Sequence, residues 1–188
     1  SNWPEFVANS QKYQADLIKF AIEHYRRAKY KKIGSFFHFL FGDCWPSVTW
    51  SVVSYDRKPK PGYFALQRAY QPVLVGADLG KTVWSKGKNL PAEVAGGEAS
   101  AAIWVVNDEH RTLEGVTCEA YLRGQGKDIR VGASGKPGTI AEDSVTDFTW
   151  LEFRLPAEVT PGSYDLILLL KQGDRVLSEN SYPVKVVE

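Results

Sequence analysis

Two residues suited to ligand binding lie close together in a segment rich in Asp, Trp, Pro and Ser, residues 42–51. They are an acid, Asp43, and an aromatic residue, Trp45. A carboxylate accepts hydrogen bonds from hydroxyl groups, and an indole ring offers a flat apolar face. The alternatives are that Asp43 is a buried loop acid with a structural partner and that Trp45 caps an apolar core. Both readings follow from the residue types.

Three predicted elements surround this segment. Apolar residues recur at three- and four-residue steps through residues 10–30, which predicts an amphipathic helix with Asn9 or Ser10 as its N-cap. Its apolar stripe contains Tyr13, Leu17, Phe20 or Ala21, His24 and Ala28. Residues 36–41 are apolar on both alternating faces, which predicts a strand buried on both sides. A second helix is predicted to begin at Pro61 and to end near Tyr70.

A different pattern begins after residue 78. Short segments of β-branched and aromatic residues alternate with Gly, Pro, Asn and Asp, which predicts an antiparallel β-sandwich of the immunoglobulin-like type. The predicted strands cover residues 82–85, 100–106, 115–122, 128–131, 148–155, 164–171 and 182–187. The predicted fold class is therefore α+β, with one part formed by residues 1–76 and the other by residues 77–188. Trp84 and Trp104 are predicted to be core residues.

Composition excludes several kinds of partner. Lys and Arg number 23 against 22 Asp and Glu, so the net charge of +1 gives no reason to expect a polyanion or an anionic membrane surface. The longest apolar runs fall far short of the ~20 residues of a membrane span. Two cysteines and three scattered histidines predict neither a disulfide framework nor a zinc site. We therefore expect no metal, no cofactor, no nucleic acid and no membrane partner.

Two further features have competing interpretations. His38 interrupts the apolar run of residues 36–41, either as a core histidine with satisfied hydrogen bonds or as a proton shuttle. Strict alternation through residues 148–155 places Phe148 and Trp150 on the outer face of the sandwich, as a carbohydrate platform or as a docking surface.

The order of residues between Gly34 and Val75 resembles the last strand, loop and helix of the catalytic (β/α)₈ barrel in family-two glycoside hydrolases of the β-mannosidase and exo-β-glucosaminidase type. The matching residues are Asp43, Trp45, Trp50, Ser51, Asp56, Pro59, Lys60, Tyr63, Phe64, Pro72 and Val73. The chain departs from the family at two positions, with Phe39 where Trp is usual and Gly42 where Asn is usual.

The resemblance implies an architecture and a binding role. Residues 1–76 would be the helix–strand–helix end of a TIM-barrel catalytic domain, and residues 77–188 the immunoglobulin-like domain. Trp45 and Asp43 would be substrate-binding residues at the mouth of the barrel, where barrel enzymes keep their active sites. The indole would stack on a pyranose, and the carboxylate would bind substrate hydroxyls or hold a neighbouring catalytic side chain.

The resemblance also implies that the catalytic residues lie elsewhere. A retaining glycosidase needs two carboxylates about 5–5.5 Å apart. The family carries both on earlier barrel strands, and in this chain Glu5 and Glu23 lie on or near a helix, while Glu93 and later glutamates lie in the predicted sandwich. The absence of methionine further indicates a chain cut from a longer one. We expect the C-terminal fragment of a retaining exo-glycosidase that acts on β-mannosides or β-glucosaminides, inactive alone.

Two expectations concern partners. The ligand would be a β-linked oligosaccharide, bound through the intact parent enzyme. A strand at residues 36–41 would have no parallel neighbour in its own chain, so it would be an exposed edge, self-associate with another copy, or be covered by the sandwich. The alternative function is a stand-alone carbohydrate-binding or structural β-sandwich module.

Overall fold

Residues 2–31, 33–85 and 99–188 are described by a computed structural model. The chain divides into two compact units, Ser1–Gln71 and Pro72–Glu188, called unit 1 and unit 2 below. Unit 1 contains the helices α1 (Trp3–Arg27) and α2 (Pro61–Ala69), and the strands of the described residues all lie in unit 2. The fold is mixed α and β, with most of its regular structure in sheets.

Helix α1 begins earlier than predicted, because Asn2 is its N-cap. The Asn2 side chain accepts a hydrogen bond from the Glu5 N–H at 3.0 Å, and Pro4 occupies the first turn, where a missing N–H costs nothing. The predicted caps, Asn9 and Ser10, lie inside the helix. An Asn followed three residues later by a Glu has the spacing of a capping box, so the sequence did contain this signal.

The apolar stripe of α1 is not the face that packs. Tyr13, Leu17 and Phe20 are exposed, whereas Glu23 and Arg26 are buried beside Ile22. Helix α2 packs on that second face, where the Arg26 guanidinium donates to the Ala69 carbonyl at 2.6 Å and Lys19 pairs with Glu23 at 2.7 Å. The apolar stripe therefore does not mark the packed face of α1.

The predicted strand at residues 36–41 is not a strand. A strand needs a ladder partner, and none of the described residues hydrogen-bonds the backbone of residues 36–40. The side chains nevertheless alternate: Phe36 packs on Tyr25 and Tyr70, while Phe37 and Phe39 are 88% and 90% exposed. The segment has the side-chain alternation of a strand but lacks its hydrogen bonds.

Unit 2 consists of two sheets. The strands are β1 (Val73–Leu79), β2 (Val83–Ser85), β3 (Ser100–Asn107), β4 (Leu113–Gly124), β5 (Lys127–Ala133), β6 (Gly138–Ile140), β7 (Ser144–Glu152), β8 (Gly162–Gln172) and β9 (Arg175–Val187). One sheet has the order β1-β3-β7, and the other has the order β2-β9-β8-β4-β5, with β6 added beside β4. Strand β2 pairs parallel to β9, so the expectation of purely antiparallel pairing is wrong. Prediction also missed β1 and the short β6.

The core of unit 2 is extensive and draws on both sheets. Among the described residues it contains 24 buried side chains, including Trp84, and it is separate from a smaller cluster around Trp104. Both tryptophans are buried, as the sequence predicted. The Trp104 ring lies against Gly76, where a Cβ would be 2.1 Å from the ring. Glycine is therefore required at this position for the close approach.

A β-bulge corrects the prediction for Phe148. Ile103 pairs with Thr149 and Trp104 with Asp147, so Phe148 is the extra residue on β7. The bulge resets the alternation: Phe148 packs against the core, whereas Trp150 remains exposed. The predicted pair of outer-face aromatics is therefore reduced to Trp150 alone.

Candidate functional site

The segment with Asp43 and Trp45 is a loop whose two ends are tied together. The Val53 N–H donates to the Phe41 carbonyl at 3.0 Å, and the Asp43 N–H donates to the Val53 carbonyl at 3.0 Å. These bonds form an isolated parallel bridge between Gly42 and Val53. Residues 43–51, called the Trp45 loop below, therefore form a loop whose two ends lie next to each other.

A tight turn then brings Lys60 back to the base of this loop. The Ser54 N–H donates to the Lys58 carbonyl at 2.9 Å, and Arg57 adopts the left-handed conformation with φ of 64°. The returning chain is fixed by the Lys60 N–H, which donates to the Val52 carbonyl at 2.8 Å. Lys60 is also the N-cap residue of α2, so the helix begins where the loop closes.

Asp43 is buried and engaged through both carboxylate oxygens. The Lys60 ammonium lies 3.0 Å from Asp43 Oδ2 and 2.7 Å from Ser51 Oγ, while the Thr49 hydroxyl donates to Asp43 Oδ1. Hydrogen bonds from Thr49 and Ser51, together with the Lys60 charge, lower the pKa of Asp43 from 3.8 to about 2. Asp43 is therefore ionised at neutral pH.

Helix α1 also holds the Trp45 loop in place, through the side chain of Gln14. The Gln14 amide donates to the Trp50 carbonyl at 2.6 Å and to the Ser51 carbonyl at 3.2 Å. The end of the Trp45 loop is thus held by a side chain that lies 36 positions earlier in the chain. Sequence analysis did not identify Gln14, Thr49, Ser51 or Lys60 as site residues, although Ser51 and Lys60 are among the motif residues.

Above this base the loop presents its apolar residues to solvent. Trp45 is 66% exposed, and Trp50 and Val48 are exposed as well. An outward indole on an anchored loop can stack on the apolar face of a ligand. The structure thus places Asp43 in the base of the loop and Trp45 on its open side.

The remaining candidates from the sequence are His38, a metal site and a membrane-spanning helix. His38 is half-buried, and its Nε2 has no hydrogen-bond partner among the described residues. Within residues 2–31, 33–85 and 99–188, no group of three or more His, Cys, Asp or Glu side chains could hold a metal ion. Neither of the described helices is long and apolar enough to cross a membrane.

Comparison with known proteins gives these residues a context. No protein-family model matches the chain. The chain is 28% identical over 128 residues to Beta-mannosidase B of Aspergillus niger, a match that covers 66% of this chain. It is 25% identical over 145 residues to Beta-mannosidase B of Aspergillus terreus, covering 76% of this chain. Over these residues the chain is related in sequence to the Aspergillus β-mannosidases.

The chain matches only a small part of these relatives. The alignments cover 15% and 17% of the two Aspergillus proteins. Among solved structures, the exo-chitosanase CsxA of Amycolatopsis orientalis in complex with PNP-beta-D-glucosamine superposes with a TM-score of 0.66. That superposition covers 98% of this chain and 20% of CsxA at 14% sequence identity, which shows a shared fold.

Proposed function

We propose that this chain is the C-terminal part of a retaining exo-glycosidase that hydrolyses β-linked glycans, and that it is not catalytic alone. In this proposal residues 1–76 are the end of the TIM-barrel catalytic domain, and residues 77–188 are an immunoglobulin-like sandwich. The relationship to β-mannosidases and the fold shared with the exo-chitosanase support a β-mannoside or β-glucosaminide substrate.

The observation that carries the proposal is the open apolar side of unit 1. Phe37 and Phe39 project into solvent from an extended segment without ladder partners among the described residues, and the α1 stripe of Tyr13, Leu17 and Phe20 is exposed as well. Exposed apolar surface on this scale marks a surface that another body covers. A barrel strand and helix deprived of their neighbours would have these properties, because a barrel leaves no free edge.

The acids of the chain support the second half of the proposal. A retaining glycosidase needs one carboxyl whose pKa is raised, so that it can act as the general acid. Hydrogen bonds from neighbouring side chains instead lower the pKa of each of the acids Asp43, Asp56, Glu119 and Asp128. A lowered pKa makes each of these four carboxyls a poorer proton donor at neutral pH, which is the opposite of what a general acid requires.

The proposed role in substrate binding belongs to the Trp45 loop. Trp45 would stack on the sugar at the mouth of the barrel, and its exposure leaves the ring free to do so. Asp43, whose two oxygens are already engaged by Thr49 and Lys60, would shape the site by fixing the loop and through its negative charge.

Hydrolysis of aryl β-mannoside, β-glucosaminide and β-galactoside by two proteins tests the proposal. The 188-residue chain should release no aryl alcohol above the uncatalysed rate, whereas the longer protein encoded by its gene should turn over at least one substrate. Steady turnover by the short chain, abolished by changing a single acid within it, would refute the proposal. An inactive longer protein that nevertheless binds β-linked glycans would instead favour a carbohydrate-binding module.

A further inference from the structure

The base of the Trp45 loop contains a buried lysine ammonium, that of Lys60. Lys60 is the N-cap residue of α2, and its ammonium, which can only donate hydrogen bonds, does not cap the helix. Its ammonium turns instead to Asp43 at one end of the loop and to Ser51 at the other. The Lys60 and Asp43 side chains are only 12% and 4% exposed, so this contact is shielded from solvent.

We propose that Lys60 is a positioning residue for the Trp45 loop, which it closes by joining Asp43 to Ser51, so that Trp45 is presented in one orientation. This inference rests on the proposed function for its consequence in catalysis, since it assumes that Trp45 meets the sugar. The closure itself is a property of this chain.

The Lys60 ammonium contacts side chains of the loop that the backbone bridge does not hold. The backbone bridge between Gly42 and Val53 fixes the neck of the loop but does not reach Thr49 or Ser51. The Lys60 ammonium and the Asp43 carboxylate bind those two side chains, and the Ser51 N–H donates to the Thr49 hydroxyl at 3.1 Å. Without Lys60 the returning half of the loop would keep the bonds from Gln14, the Thr49 contacts with Asp43 and Ser51, and the bond from the Ser51 hydroxyl to the Val53 carbonyl. It would lose the charged link from Asp43 to the Ser51 side chain.

Neighbouring residues provide a matched control. Lys58 lies two positions before Lys60 and also pairs with an aspartate, Asp56, at 2.6 Å. Its side chain is 81% exposed, so an exposed pair with the same chemistry can be removed in parallel. Exposed pairs of this kind contribute little, because water screens them.

The chain also contains its own reporter. Cys44 follows Asp43 and is exposed, whereas Cys118 is buried, and burial raises the pKa of its thiol to about 12. The thiolate is the reactive form, so a nitroxide reagent at neutral pH should label Cys44 and spare Cys118. The spectral line shape then reports the mobility of the Trp45 loop.

The experiment compares four labelled proteins: wild type, Lys60→Met, Lys58→Met and the double variant Asp43→Asn/Lys60→Met. Wild type and Lys58→Met should give the same restricted line shape, and Lys60→Met should give a clearly more mobile one. The double variant removes both buried charges, so it should fold even if Lys60→Met does not, and its loop should still be mobile. A double variant with the wild-type line shape would overturn the proposal.

Kinetics of the longer protein test the consequence for the substrate. Lys60→Met should raise KM for an aryl β-glycoside by about tenfold with a smaller change in kcat, because loosening a binding loop removes binding more than chemistry. Lys58→Met should change neither. A mobile loop with unchanged kinetics would refute the positioning role. If the longer protein showed no glycosidase activity, the proposed function would fail, whereas the line shapes would still decide whether Lys60 closes the loop.

Discussion

Unit 1 exposes most of its large apolar side chains, whereas unit 2 buries most of them. Among the described residues, sixteen exposed large hydrophobic side chains belong to unit 1 and three to unit 2. The main buried cluster of unit 2 has 24 residues, whereas the cluster of unit 1 has four: Ile22, Val52, Leu66 and Ala69. Unit 2 buries its own apolar residues, and the sequence of unit 1 contains an apolar surface that its own fold does not cover.

The open apolar surface of unit 1 is available for contacts that the described residues do not make. A buried apolar side chain stabilises the fold that buries it, whereas an exposed one gains nothing until another surface arrives. In unit 1, polar contacts replace part of the missing core: Lys19 with Glu23, Arg26 with the Ala69 carbonyl, and Lys60 with Asp43.

The largest expected difference is in the free energy of unfolding, between alanine variants of one leucine in each unit. Leu168 is fully buried in unit 2 and Leu17 is exposed on α1. Leu168→Ala should lower the free energy of unfolding by about 2–5 kcal/mol, because it empties a packed site. Leu17→Ala should change it by less than about 0.5 kcal/mol. Urea unfolding of the 188-residue chain measures both, and equal losses would contradict the comparison.

A pair of tryptophans sharpens the comparison at the site. In the longer enzyme, Trp45→Ala should lower kcat/KM by roughly 10–10³-fold, about 1.4–4 kcal/mol, through loss of stacking on the sugar. Its melting temperature should fall only slightly, since the side chain is 66% exposed. The buried Trp84 gives the opposite expectation, a stability loss of about 3–5 kcal/mol in Trp84→Ala. Unchanged kcat/KM in Trp45→Ala would remove this residue from the site.

The smallest expected effect is the pH dependence that Asp43 contributes to stability. The pKa of Asp43 is lowered to about 2 in the folded state, so its contribution to stability is complete above about 3.8 and is lost as the pH falls towards 2. Wild type should therefore lose stability relative to Asp43→Asn over this window. Denaturant unfolding at a series of pH values measures the difference between the two proteins. A difference that stays constant from pH 5 to pH 2 would show that the Asp43 carboxylate is not stabilised by folding.

The sequence predicted unit 2 better than unit 1, for physical reasons. Alternation located most of the strands of unit 2, because each strand has one face on a core that the same chain completes. Alternation predicted the wrong face for Phe148, because the β-bulge adds one residue to the strand and the local sequence pattern does not indicate a bulge. In unit 1 the run at residues 36–41 was predicted to be a strand buried on both sides, but no ladder partner lies among the described residues.

The candidate site was only partly accessible to sequence analysis. Asp43 and Trp45 were identified by residue type and by the family motif, and their roles towards a substrate remain predictions. The contact of Asp43 with Lys60 joins residues 17 positions apart, and the contact of Gln14 with Trp50 joins residues 36 apart. Such contacts depend on how a turn and a helix pack, which residue types and spacing do not specify.

Hydroxyl-radical footprinting of the 188-residue chain and of the longer protein encoded by its gene tests the central claim most directly. Phe37, Phe39 and Tyr13 should be oxidised rapidly in the short chain and strongly protected in the longer protein, because the remainder of the barrel would cover them. Trp150, exposed on unit 2, serves as the internal control and should react similarly in both. Equal oxidation of Phe37, Phe39 and Tyr13 in the two proteins would contradict the claim that the open surface of unit 1 is an interior surface of a larger enzyme.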